Sequence, residues 1–153
     1  MRMMQMLGKT YEIGVMTVTQ LQWRQVMGTE PWSSNKRLMN SDAEYYPATY
    51  ISWYDAMAFC IRLSNMEGSV YRLPTEAELV YAYSIESSLF RFCHVWEWCS
   101  DHHISQGYVN YTVIYGDSWR DTSGYNYASC REHNKPESCM MDTGFRLVRT
   151  VAT

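Results

Sequence analysis

The sequence predicts a single α+β domain, and three observations predict it. The 153-residue, 18.0 kDa chain is long enough for one hydrophobic core but short for two. Its first half carries three helix-start signals, each a Ser or Thr followed three residues later by a side chain that can bond back. Its second half loses helical periodicity and becomes rich in aromatic and β-branched alternation. A hydrophobic fraction of 46% with 19% charged residues places the chain among folded proteins rather than disordered ones.

Residues 1–9 read as an N-terminal tail and residues 10–153 as the domain. Thr10 to Met16 alternates Tyr11, Ile13 and Val15 against Thr10, Glu12 and Gly14, the pattern of a half-buried strand. Thr19 and Gln22 form a capping box that opens a helix running to about Met27, where Gly28 stops it. Pro31, Ser33, Ser34, Asn35 and Pro47 make residues 29–49 loop-like. Ser52 and Asp55 cap a second helix whose Ala56, Phe59, Cys60 and Leu63 fall on one apolar stripe, ended by Gly68. Pro74 blocks helix before it, so Thr75 and Glu78 must start the third. Glu76 and Glu78 diverge at i, i+2 and do not suit an acid–base pair. Val95–Cys99, Val109–Tyr115 and a closing Thr143–Arg149 read as strands.

The 24 residues between Trp119 and Gly144 contain no Val, Ile, Leu, Phe or Trp. Such a segment cannot supply a core face, because buried polar groups without partners cost several kcal/mol each. Strand-forming sequence flanks it on both sides, so it reads as a polar excursion held at its ends by the sheet. Its Tyr, Ser, Asn, Gly, His and Arg content suits a binding loop, with rigid rings beside adaptable hydrogen-bonding groups. The competing reading is a long solvated loop.

Other chemistry is weaker in the sequence. A net charge of −3 and an isoelectric point near 5.8 argue against nucleic-acid or acidic-lipid binding. No apolar run reaches membrane-spanning length, and the N-terminus lacks the pattern of a signal peptide. The expected location is therefore cytoplasmic or virion-associated. Five cysteines, an odd number without a C-x2-C, do not read as a disulfide framework. Cys93, His94, Cys99, Asp101, His102 and His103 crowd into eleven positions, yet their spacing misses zinc-ligand patterns. Cys130 with His133 lacks a legible third group to orient a nucleophile. Trp96 and Trp98 fit core aromatics better than a sugar platform. No metal or cofactor is expected.

Six ordered motifs carry a resemblance. They are residues 19–28 (TQLQWRQVMG), 51–60 (ISWYDAMAFC), 71–78 (YRLPTEAE), 95–98 (VWEW), 116–119 (GDSW) and 144–148 (GFRLV). Together they resemble the formylglycine-generating, sulfatase-modifying-factor branch of the C-type lectin fold. In that branch's copper-dependent oxidases a cysteine pair sits after the fifth motif. An ungapped overlay places those positions at Asp121 and Asn126, neither of which is a thiol. The resemblance is stronger to the variable proteins of diversity-generating retroelements, whose GGSW and GFRLV motifs bracket about two dozen polar residues. Arg131 and Pro136 stand where that pattern has an Arg and a Pro, while Asp117 replaces its second Gly and Cys93-His94 its Gly-Asn.

This resemblance implies a non-enzymatic, prokaryotic or phage protein with a variable region at 116–148. Its ligand-facing residues would be Arg120, Asp121, Thr122, Gly124, Tyr125, Tyr127, Cys130, Glu132, His133, Asn134, Ser138 and Met140. Ser118, Trp119, Arg131 and Pro136 would belong to the scaffold. The implied partner is a protein or other macromolecular ligand such as a cell-surface receptor. The enzymatic alternative is a formylglycine-generating-type oxidase using Cys130 or Cys139.

Overall fold

Three reciprocal caps set the helices. The computed structural model describes residues 1–39, 45–86, 95–103, 110–116 and 131–151. Helix α1 (Gln20–Met27) starts where Thr19 and Gln22 bond each other's backbone, and ends at Gly28, whose φ of 72° suits a residue without Cβ. Helix α2 (Trp53–Glu67) starts at the Ser52–Asp55 box and stops at Gly68. Helix α3 (Glu76–Ile85) starts at the Thr75–Glu78 box. Each matches the expected boundary closely, and the Ala56–Phe59–Cys60–Leu63 stripe of α2 is buried. Among the described residues no helix is long and apolar enough to cross a membrane.

The strands among the described residues form two four-stranded sheets. In the first, β1 (Met3–Gln5), β2 (Tyr11–Gly14), β3 (Tyr71–Arg72) and β8 (Val148–Thr150) run in the order β1-β2-β8-β3, all antiparallel. The second contains β4 (Trp96–His103), β5 (Tyr111–Gly116), β6 (Arg131–Asn134) and β7 (Thr143–Gly144). Its order is β6-β5-β4-β7, with only the β4–β7 pair parallel.

Two expectations are corrected here. Residues 1–9 are not a tail, since Met3, Met4 and Gln5 pair with Gly14, Ile13 and Glu12, and Met6 is buried. The closing segment is not one strand. Thr143 and Gly144 lie beside β4, Val148 to Thr150 lie between β2 and β3, and Phe145-Arg146-Leu147 crosses from one sheet to the other.

The crossing follows from what these three residues bury. Phe145 joins Trp23 and Phe59 in the larger core cluster, with ring centroids 6.1 Å and 5.3 Å away. Leu147 belongs to the same cluster, whereas Val148 faces a second one built on Leu79, Tyr83, Val113 and Tyr115. Between them Arg146 is fully buried. Its Nε donates to Glu97 Oε1 at 2.8 Å, and its Nη1 donates to the carbonyls of Gly14 and Val15, each at 2.9 Å. Tyr83 donates its hydroxyl to the other Glu97 oxygen. Burial pushes the Glu97 carboxyl upward, and the Arg146 guanidinium opposes that shift.

Trp98 is a core aromatic, fully buried with its indole N–H on the Ile51 carbonyl, while Trp96 is only half-buried. Glu78 is occupied by its cap and by Arg72 at 2.7 Å.

Among the described glycines Gly144 marks the tightest backbone approach, because a Cβ there would stand 2.7 Å from the Ala48 carbonyl oxygen. Gly144→Ala is expected to lower unfolding free energy by about 1–3 kcal/mol, read by urea denaturation. An unchanged midpoint would show that the Ala48 loop yields.

Candidate ligand-binding site

The polar excursion leaves and re-enters the second sheet at neighbouring points. Strand β5 ends at Gly116, and β6 returns at Arg131 with Tyr115 paired opposite it. Gly116 has a φ of +112°, a conformation L side chains rarely adopt, and its missing Cβ would touch the Val95 carbonyl and Glu97 Oε2. The far end is fastened by side chains. Arg131 Nε pairs with Glu76 Oε1 at 2.7 Å, tying β6 to the first turn of α3.

Of the expected ligand-facing residues, Arg120, Asp121, Thr122, Gly124, Tyr125, Tyr127 and Cys130 lie outside the described residues, as do Ser118 and Trp119. The remaining five are placed individually. Glu132 is exposed on β6. His133 is half-buried, its ring edge-on to Tyr111 with centroids 5.2 Å apart. Asn134 uses its side-chain oxygen on the Lys135 N–H and on the Ser138 hydroxyl, so this pair closes a turn. Met140 is exposed.

The excursion is thus not loop throughout, because Arg131–Asn134 is an edge strand of four hydrophilic residues. An edge strand needs no apolar alternation when its outward side chains meet water.

Residues 135–142 return along the start of α2. The Trp53 N–H donates to the carbonyl of buried Pro136, and the Tyr50 N–H donates to the carbonyl of Met140, each at 2.9 Å. Tyr50 adopts a left-handed φ of 58°, which a non-glycine residue holds only against a steric cost of roughly 1–2 kcal/mol. Its neighbours hold it there, since its hydroxyl also accepts from Asn35.

The aromatic residues at this junction are not among the expected site residues. Trp53 has its indole N–H on the Cys99 carbonyl and its ring between Tyr54 and His102, with centroids 5.4 Å and 5.3 Å away. A signal was available: Tyr54 sits in an amphipathic helix off the buried stripe, where a large ring has no packing role.

Among the described residues no group of three or more His, Cys, Asp or Glu side chains could hold a metal ion. Cys99 is buried in the second core cluster, and Asp101 accepts the Glu76 N–H at 2.6 Å at the opening of α3. Cys93 and His94 lie outside the described residues. Burial, and then the negative charge of Asp55, push the Cys139 thiol upward. That opposes the thiolate which a nucleophile or copper ligand requires.

Comparison with known proteins places this geometry in context. The model of the sulfatase-modifying factor enzyme 1-like domain matches residues 3–89 and 92–151. No curated protein matches the chain. Among solved structures, the chain is similar to Treponema denticola variable protein 1, with 22% identity and a TM-score of 0.74 over 90% of this chain and 84% of that one. It is similar to CarF at 19% identity and a TM-score of 0.72, covering 93% and 87% of the two chains. PvdO from Pseudomonas aeruginosa shares 14% identity and a TM-score of 0.72, over 92% and 80%. These likenesses show the C-type-lectin-like α+β fold.

The Cys139 environment makes a kinetic prediction. Site-resolved iodoacetamide alkylation should reach half its maximal rate at Cys139 above the pH of an ordinary thiol, and Asp55→Asn should move that midpoint down. A midpoint below the ordinary value would mark an activated cysteine.

Proposed function

The chain belongs to the sulfatase-modifying factor enzyme 1-like domain family, and from that premise we propose that it is a non-enzymatic ligand-binding protein. Its diversified surface lies in residues 120–142, and its partner is a protein. The observation that carries this reading is the closure of residues 117–130 at their base, where Tyr115 and Arg131 pair on adjacent antiparallel strands. A segment closed this way can vary in sequence while the sheet below it keeps its register.

Two further facts support the reading. Neither core cluster takes a residue from 131–142, and only Pro136 and Asp142 of that stretch are buried, so its described part adds little to the apolar interior. The fold is shared with a protein titled a variable protein. The oxidase alternative would need a thiolate pair where Asp121 and Asn126 stand, or a reactive Cys130 or Cys139; Cys130 lies outside the described residues, and the Cys139 thiol is pushed upward. Within the proposed surface, Tyr125 and Tyr127 act as aromatic anchors, the role in which rigid rings contribute most to a protein interface.

The test is genetic and then biochemical. The DNA beside the gene should hold a reverse-transcriptase gene and a near-copy of the codons for residues 116–148, differing at adenines. Against a partner selected for the intact chain, Tyr125→Ala with Tyr127→Ala should weaken binding about a hundredfold or more, as loss of two hot-spot residues does. Undiminished affinity, or copper-dependent oxidation of a cysteine peptide, would remove the reading.

A further inference from the structure

The surface around the variable segment contains aromatic residues that belong to the scaffold. Trp53 and Tyr54 open α2, and His102 stands on β4. Tyr54 is 57% exposed, His102 is exposed and Trp53 is half-buried. Trp53 meets both rings, edge-on to Tyr54 at 82° and tilted to His102 at 54°, so the three form one aromatic corner open to solvent. Trp53 also packs against the larger core cluster, whereas Tyr54 lies off the inward Ala56–Phe59–Cys60–Leu63 stripe of α2, so the interior does not require the Tyr54 ring. The corner is also preset. The Trp53 indole is fixed to the Cys99 carbonyl, so little ring freedom remains to be lost when a ligand arrives.

The corner adjoins the segment on two sides. The strap of residues 136–140 is bonded to the Trp53 and Tyr50 backbones. Across the second sheet, His102, Thr112 and Asn134 lie opposite one another in register, and Glu132 shares that face, paired with Ile114. The surrounding charge has one dominant sign. Asp55, Glu132 and Glu137 are exposed carboxylates, set against Lys135, while Arg131 is paired with Glu76. Aromatic rings on a surface whose exposed charges are mostly carboxylates suit a cation with a flat or compact head.

We propose that Trp53, Tyr54 and His102 form a constant subsite that seats an arginine or lysine side chain of the protein partner, while the variable residues read what surrounds it. This rests on the protein-binding function proposed above. It divides the surface in two: a fixed pocket gives every variant a common basic foothold, and the diversified residues supply discrimination.

Titration of the full chain with acetyl-Gly-Arg-Gly-amide, followed by 15N–1H spectra, tests it. The Trp53 indole signal should move saturably, and the citrulline counterpart of the peptide should leave it in place. Tyr54→Ala and His102→Ala should each weaken the titration about threefold to tenfold. Both remove exposed rings, so their melting curves should overlay that of the parent chain. The Tyr125→Ala, Tyr127→Ala chain should still bind the peptide, which separates this subsite from the variable segment. No movement of the Trp53 indole, equal response to citrulline, or undiminished binding by both ring variants would overturn the proposal. Success with the peptide beside failure of the variable-segment test would leave the subsite standing and remove only the reading of the segment.

Discussion

One buried ion pair connects the parts of this molecule that sequence separation keeps apart. Glu97 projects from β4 in the second sheet, and Arg146 comes from the crossing between β7 and β8. Through its second nitrogen Arg146 reaches the Gly14 and Val15 carbonyls at the end of β2, in the first sheet, and α3 adds Tyr83 from above. Removing two charges from water costs several kcal/mol per ion, and the cost is offset only when every polar atom finds a partner. Here the guanidinium meets a carboxylate, two carbonyls and the face of Tyr83, with 5.6 Å from its central carbon to the ring centroid. The interaction thereby fixes where the sheets lie relative to each other. It also fixes the exit of the polar segment, because Gly116 lies against the same Glu97 carboxylate.

What the amino-acid sequence discloses depends on whether the determinant is local. The helices were legible because cap and apolar stripe are encoded within a few residues: Thr19 with Gln22, Ser52 with Asp55, Thr75 with Glu78. Strand β1 was not, because Met3-Met4-Gln5 shows no alternation and becomes a strand only by pairing with residues near position 13. The break in the closing strand was hidden for a similar reason. Phe145-Arg146-Leu147 reads as extended chain until Glu97, nearly fifty positions away, draws Arg146 inward. Within the site, lack of aliphatic residues marked residues 120–143 as a departure from the core, but it could not mark β6, whose strand character comes from the neighbouring β5. Nor could it assign Asn134 and Ser138 to a turn, since that bond depends on the path of the returning chain.

The same division runs through the attachments of the polar segment. Arg131 and Pro136 fasten the segment to α3 and α2 through one ion pair and one backbone hydrogen bond, leaving neighbouring side chains such as Glu132 to face outward. Trp53 does double duty, receiving the strap through its N–H and presenting its ring beside it. A surface assembled this way combines rigid attachments with replaceable contacts. A chain whose stability resides elsewhere can change such contacts without unfolding.

The most direct measurement compares the origin of stability in the two regions. Urea unfolding would be followed for Arg146→Met and for a panel of chains altered together at positions 121, 122, 125, 127 and 132. The account predicts a loss of about 3–5 kcal/mol for Arg146→Met, which strands Glu97 in the interior. Panel members should stay within about 0.5 kcal/mol of the parent chain. A panel whose midpoints scatter by several kcal/mol, or an Arg146→Met chain as stable as the parent, would contradict it.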